Sequence, residues 1–295
     1  MKTLLLLFLV TSCAQHKFLP EAFEHTAPEQ KLCFIGDTGK DTSSQKATAL
    51  ALQYEKCHAI YFLGDIIYPS GITSAEDRKF KELFLDYYEG LSRKDYEPKL
   101  NVIMGNHDHR GNTTAWLEIA QKYPFVYFPN HYYFKREGDL CIFALDSEFY
   151  TQRHLHSQIE PQEMWLAEAA KKEKDCKLRI ALTHHPYKSS GKGHGDAVGS
   201  MKAFHEAQVL GRFDLLVSGH EHIVSHEGQA QGTALFISGA GGDPDRGFLP
   251  GYLTIEVEKK KGSRPVVRLK TLRSDGKMKV EVVDVKPVDK NSGLD

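Results

Sequence analysis

The sequence predicts a layered α/β fold, with β-sandwich-like sheets flanked by helices and a C-terminal antiparallel meander. Three observations carry this expectation. Short β-rich apolar runs recur along the chain as KLCFIGD, HAIYFLGD, KLNVIMGNHD, DLCIFALD, KLRIALTHH, DLLVSGHEH and ALFISGAG. Helical patterns lie between several of them, at 43–56, 75–88, 113–122, 161–174 and 201–210, and apolar strands flanked by helices are strands buried on both faces. From Gly251 the pattern changes to YLTIEVE, VVRLKTL and KVEVVDV with turn signals between them, as expected of strands joined by short connections. At 295 residues, 41% apolar and 26% charged, the chain is long enough for one large domain or two small ones. No internal repeat or second domain boundary is visible.

The chain opens on MKTLLLLFLVTSC, with a basic Lys2, an apolar run from Leu4 to Val10 and small residues before Cys13. This is the layout of an export signal, expected over residues 1–12. The run is too short to cross a bilayer, for which about 20 residues are needed. Val10-Thr11-Ser12-Cys13 resembles the bacterial lipobox, which implies acylation of Cys13 and a lipoprotein of the periplasm or outer membrane. An ordinary signal peptide cut near Ala14 is the alternative. Buried acyl carbons contribute about 0.8 kcal/mol each, so several chains on one cysteine make a durable anchor. Residues 13–30 are polar, carry Pro20 and Pro28 and read as a tether. The domain is expected over 31–287 and a flexible tail over 288–295.

With 38 Lys and Arg against 39 Asp and Glu the net charge is -1, so no global field gathers nucleic acid or an acidic membrane surface. Anion recognition must be local, no nucleic-acid surface is expected, and a monomer is expected. Cys33, Cys57, Cys141 and Cys176 show no CxxC spacing, which argues against a cysteine metal site. Buried free thiols and disulfides both remain open for them.

Function is carried by where the polar residues fall. Five of the seven runs end in a metal-ligand type of residue: Asp37, Asp65, Asn106, His184, and His220 with His222. In open α/β sheets the carboxyl ends of the strands open into one crevice, where residues far apart in sequence meet. Singly, most motifs are weak. Gly36-Asp37-Thr38-Gly39 also suits a loop or helix cap, Tyr68 in GDIIY suits a packed aromatic, and one histidine of Thr183-His184-His185-Pro186 suits a satisfied core residue. Gly105-Asn106-His107-Asp108-His109 is more specific, because packing does not explain four ligand-type residues directly after LNVIM. In Gly219-His220-Glu221-His222 the two imidazoles point the same way on an extended backbone.

Taken in order, these motifs resemble the calcineurin-like metallophosphoesterase superfamily. GDIIYPSG, GNHDHRGN and FISGAGGDP further resemble the small, tartrate-resistant type of purple acid phosphatase. The resemblance implies the metallophosphoesterase fold and two metal ions, one bound by Asp37, Tyr68 and His222, the other by Asn106, His184 and His220, with Asp65 bridging. Carboxylate and phenolate oxygens suit Fe(III), while imidazole and amide suit a divalent Fe, Zn or Mn. The first motif lacks the histidine that nuclease-like branches carry, which leaves Tyr68 to supply a ligand. Two positions depart from the family pattern: Glu221, where aspartate is frequent and which is expected to point away from the metals, and Thr38, where an aromatic is frequent.

The implied activity is hydrolysis of phosphate monoesters, of the acid phosphatase type, by in-line attack of a metal-bound hydroxide. His107 and His194 are expected to face the phosphate and leaving group, one of them returning a proton to the alcohol. Asp108 is expected to orient His107, and His109 and His185 are left as unassigned neighbours. His194 lies in the Gly-rich YKSSGKGHGDAVG, where Lys188 and Lys192 could draw in anions; a surface loop that never meets substrate is the plainer reading. A phosphodiesterase acting on nucleotides or lipid head groups with the same site is the alternative. A catalytically silent surface-binding lipoprotein is less favoured, since none of the seven ligand positions is lost.

Overall fold

Strand β1 (Gln30–Ile35) sets the architecture by its alternation. Leu32 and Phe34 face one way and Cys33 and Ile35 the other, and all four are fully buried. Leu32 and Phe34 belong to a core between two sheets, and Cys33 and Ile35 to a core beneath helices. The structure, a computed structural model, describes residues 30–91, 99–173, 175–258 and 264–285. The expected export signal, Cys13, the tether up to position 29, Lys174 at the end of the fourth helical pattern and the C-terminal tail lie outside the described residues. Gln30, assigned to the tether from sequence, already pairs with Val257. Among the described residues no helix is long and apolar enough to cross a membrane.

Among the described residues, one sheet has seven strands. In it β2 (Ala59–Leu63), β3 (Lys99–Ile103) and β4 (Val126–Tyr127) run parallel to β1. On the other side of β1, β11 (Gly251–Val257), β12 (Val266–Leu272) and β13 (Met278–Asp284) form the antiparallel meander. The second sheet, again among the described residues, has six strands in the order β5-β6-β7-β8-β10-β9. Its centre is parallel, with β6 (Leu140–Ala144), β7 (Leu178–Thr183), β8 (Leu215–Ser218) and β10 (Thr233–Ser238). Its edges β5 (Tyr133–Glu137) and β9 (Val224–Ala230) are antiparallel.

Helices cover the outer face of each sheet. On the first lie α1 (Ser43–Glu55), a mixed segment of α2 (Arg78–Phe80), a π-helical turn (Lys81–Leu85) and α3 (Asp86–Tyr88), and then α4 (Ala115–Lys122). On the second lie α5 (Ile159–Lys172) and α6 (Gly199–Phe204), which continues as a π-helical turn (His205–Val209). Thr42 caps α1 by accepting from Gln45 N, and Lys56 at φ 53° ends it, the usual side-chain start and left-handed stop. The seven apolar runs are all strands. Sequence patterning did not show β4, β5 and β9, and each of these is an edge strand, where one side needs no apolar neighbour.

The four cysteines form two disulfides, Cys33–Cys57 and Cys141–Cys176. Each ties a strand to the chain's return after its crossover helix: β1 to the end of α1, and β6 to the segment leading from α5 into β7. With sequence separations of 24 and 35, each constrains the unfolded chain by about 3–4 kcal/mol on the loop-entropy model. Replacing Cys141 and Cys176 together by alanine should lower unfolding free energy in urea by about that amount. Thiol titration of the denatured, unreduced chain should find none of these four cysteines free.

Candidate metal centre

The strands deliver their polar residues to one mouth of the sandwich. Asp37 follows β1, Asp65 follows β2, Asn106 follows β3, His184 follows β7, and His220 and His222 follow β8. Three of these have left-handed backbones, Asp37 at φ 57°, Asp65 at φ 51° and His220 at φ 70°. Such conformations cost about 1–3 kcal/mol each and persist only where the surroundings enforce them. Here Asp37 N donates to Gly64 O, Thr38 N to Asp65 O, and His220 N to Asp37 Oδ2, at 2.9–3.1 Å. The close approach also dictates a glycine: a Cβ on Gly105 would lie 2.3 Å from Asp65 Oδ1.

Two donor sets result. In one, the Tyr68 hydroxyl lies 3.1 Å from Asp37 Oδ1, 3.0 Å from Asp65 Oδ2 and 3.2 Å from His222 Nε2. In the other, Asn106 Oδ1 lies 3.1 Å from both His184 Nε2 and His220 Nδ1, which are 3.2 Å from each other. Asp65 belongs to both, since its Oδ1 is 3.5 Å from His184 Nε2 while its Oδ2 faces Tyr68. The seven residues singled out from sequence are thus brought together, with one carboxylate between two groups.

The chemistry of these atoms fits a pair of cations. His184 Nδ1–H donates to Leu63 O at 2.8 Å, so in the neutral ring the Nε2 lone pair points at Asn106 Oδ1, His220 and Asp65; such a backbone partner is what orients a metal-binding imidazole. The first set likewise has one phenolic proton for several acceptor atoms. Burial alone would lower His184, yet the carboxylates of Asp65 and Asp37 outweigh it and raise the imidazole to about 10. Burial pushes Asp37 up, whereas for Asp65 the charges of His184 and His107 overcome burial and hold it low. Burial and the two carboxylates drive Tyr68 far up. Burial and the neighbouring imidazoles drive His220 far down. The carboxylates thus favour positive charge at His184, the same demand that a metal ion would meet.

The remaining candidates fall around this centre. His107 is partly exposed at the mouth, its ring 4.2 Å from that of Tyr68 and its Nε2 3.9 Å from Asp65 Oδ2. Its Nδ1 lies 2.6 Å from Pro69 O and 3.1 Å from Arg110 Nη1, leaving Nε2 as the atom presented to the crevice. His194 stacks on His220, with ring centroids 4.1 Å apart, so its loop does meet the centre. Lys188 and Lys192 are exposed. Asp108 corrects the expectation from sequence: it does not touch the His107 ring. Its buried carboxylate accepts from Ile66 N, Ile67 N and Gly105 N at 3.0–3.3 Å, locking the Asp65 turn to the Asn106 turn. His185 bonds Ser147 Oγ through Nδ1 at 2.9 Å and lies 3.2 Å from Glu148 Oε1 through Nε2. Glu221 points away from the two donor sets and into the Gly-rich loop.

Carboxylates, imidazoles, an amide and a phenol gathered at the mouth of a helix-flanked double sheet define a phosphoesterase centre of the two-metal type. The model of the calcineurin-like phosphoesterase family matches residues 30–224, and the chain belongs to that family. It also resembles purple acid phosphatases. It is 26% identical over 229 residues to purple acid phosphatase 3 of Arabidopsis thaliana, covering 70% of this chain and 62% of that one. It is 26% identical over 265 residues to tartrate-resistant acid phosphatase type 5 of Oryctolagus cuniculus, covering 80% and 79%. Among solved structures, the fold matches GAP50, the anchor in the inner membrane complex of Plasmodium, with a TM-score of 0.68 at 18% identity over 88% of this chain and 90% of that one. A dimetal phosphatase of Danio rerio matches with a TM-score of 0.57 at 13% identity, over 86% and 98%.

Three features escaped the sequence reading. Asp146 follows β6 and accepts from His109 Nε2 and His131 Nδ1, each at 2.7 Å from its Oδ2. It ends the run DLCIFALD, so the strand-end criterion applied to the other runs would have found it. His131 had no such signal, and Lys40, whose Nζ stands 4.4 Å over the Tyr68 ring, had none either.

Two outcomes follow from these bonds. Asp108→Ala should orphan three buried N–H groups and cost roughly 2–3 kcal/mol in urea unfolding, with weaker metal retention on dialysis. For Asp146, burial would raise the carboxyl, but His109 and His131 outweigh it and hold it at about 2, below its unfolded value of about 3.9. Its contribution of about 2 kcal/mol is therefore present above about pH 4 and lost as pH falls toward 2. Asp146→Asn should be less stable than wild type by that amount at pH 5–6, with the gap closing below pH 4.

Proposed function

We propose that the protein is a dinuclear-metal phosphatase that hydrolyses phosphate monoesters, of the purple acid phosphatase type. The observation that carries this reading is Asp65, whose two oxygens face two separate donor sets. Asp37, Tyr68 and His222 would hold one ion and Asn106, His184 and His220 the other, with Asp65 shared. Three oxygens and one imidazole suit a trivalent ion such as Fe(III), and the imidazole-rich set suits divalent Fe, Zn or Mn. When bound, such a pair activates water at neutral pH and takes up charge developing on the phosphoryl oxygens.

The chain's own residues do the rest. Asn106 orients the ester beside the imidazole-rich set. His107, its Nδ1 held at Pro69 O, presents Nε2 to the crevice, and His194 stands beside His220; one of these two imidazoles returns the proton to the departing alcohol. The names of the acid phosphatase relatives support a monoester substrate. We further propose export and a lipid anchor through Cys13; the two disulfides support an oxidising compartment.

Asp65→Asn and His220→Ala should each cost more than the roughly 10–100-fold associated with outer partners of a metal site, measured on an aryl phosphate monoester. Undiminished turnover would sink the assignment. A faster rate on an aryl diester than on the monoester would move the reading to a phosphodiesterase. The purified protein should carry a visible absorption band that Tyr68→Phe removes while the fold, followed by circular dichroism, is unchanged.

A further inference from the structure

Glu221 sits between His220 and His222, and its side chain is fully buried. Its carboxylate accepts three successive backbone N–H groups from the facing loop. Gly193 N reaches Oε2 at 3.2 Å, and His194 N and Gly195 N reach Oε1 at 2.5 and 2.6 Å. Successive amides curled around an anion form a nest, and bonds to a charged acceptor are about twice as strong as neutral ones. The contact dictates one glycine of the loop: a Cβ on Gly191 would lie 2.1 Å from Glu221 Oε2. Ala197 N closes the loop onto Tyr187 O at 3.0 Å.

The consequence is mechanical. His194 is exposed, so little packing holds its ring; its place over His220, at 4.1 Å with planes 28° apart, is set by the backbone that carries it. That backbone is held by the residue next to His220. We propose that Glu221 is a positioning residue that fixes His194 against the metal-binding segment, holding one of the two candidate proton donors beside the centre it serves. This rests on the phosphatase reading for the role of His194, though not for the clamp itself. An aspartate, one methylene shorter, would keep the charge without reaching all three amides.

The test combines amide hydrogen exchange with a double-mutant cycle on the full, metal-loaded protein. In Glu221→Gln the amides of 193–195 should exchange at least about 10-fold faster than in wild type, with bound metal per chain unchanged. On an aryl phosphate, kcat should fall about 10-fold with KM within about 2-fold. General acid catalysis is typically worth about 10²–10⁴-fold, so His194→Ala should fall further, and adding Glu221→Gln to it should cost nothing more. Gly191→Ala, which pushes the carboxylate off the loop from the other side, should reproduce the Glu221→Gln phenotype if that variant folds poorly. Unchanged exchange at 193–195, or effects of Glu221→Gln and His194→Ala that multiply, would overturn the proposal. A wild type that protects these amides yet turns over no phosphate ester would sink the phosphatase reading and leave the clamp standing.

Discussion

The mouth of the sandwich is organised by one buried carboxylate. Asp65 accepts a hydrogen bond from His107 N at 2.8 Å on one oxygen and faces the Tyr68 hydroxyl at 3.0 Å with the other, while His184 approaches from the second sheet. A lone carboxylate in such a place would neutralise itself. It stays ionised because positive charge is drawn toward it from both sheets, by His107 on one side and His184 on the other. The core between the sheets supplies the rigidity this requires, with Leu63 and Ile103 packing against Leu182 and Val217 immediately behind the site.

Holding the carboxylate there has a backbone cost that the scaffold offsets. Left-handed φ values at Asp37, Asp65 and His220 are each unfavourable, and each is retained by hydrogen bonds that cross from one strand end to another. Asp108 is the clearest case. Its three N–H partners belong to the turns after β2 and β3, so a residue that resembles a ligand by its neighbours in sequence acts as the brace between two ligand turns. In both sheets, a disulfide ties the strand before a crossover helix to the chain after it, so the strands entering the site carry a covalent tie as well as their hydrogen bonds.

What was legible in the sequence follows from the same physics. Central strands show because both of their faces are buried, and the residues that break those apolar runs show because nothing in packing calls for them. Edge strands such as YFKRE and VSHEGQA were not legible, since half of each needs no apolar partner. The roles of Asp108 and Glu221 were not legible either. Each is defined by which backbone amides lie opposite in space, over 26–28 residues for Glu221 and 41–42 for the Ile66 and Ile67 bonds of Asp108, and residue type records nothing of that. Asp146 differs, because it ended a recognised strand; what hid it was that its partner His131 lies in a turn with no motif.

Asp146 and Asp65 also show how two clusters of similar composition come to different ends. Around Asp146, two imidazole nitrogens meet one carboxylate oxygen at 2.7 Å, the spacing of an N–H donor to an anion. The protons already present satisfy the group, and its product is cohesion between the Asn106 turn, the turn before β5 and the end of β6. Around Asp65, the closest heteroatoms of the imidazole-rich set stand 3.1–3.5 Å apart, and ligand atoms of four residues converge there. The first arrangement is complete as a hydrogen-bonded unit. The second is spaced to admit a cation, and that difference in spacing and convergence, rather than the tally of histidines and carboxylates, separates a brace from a metal centre.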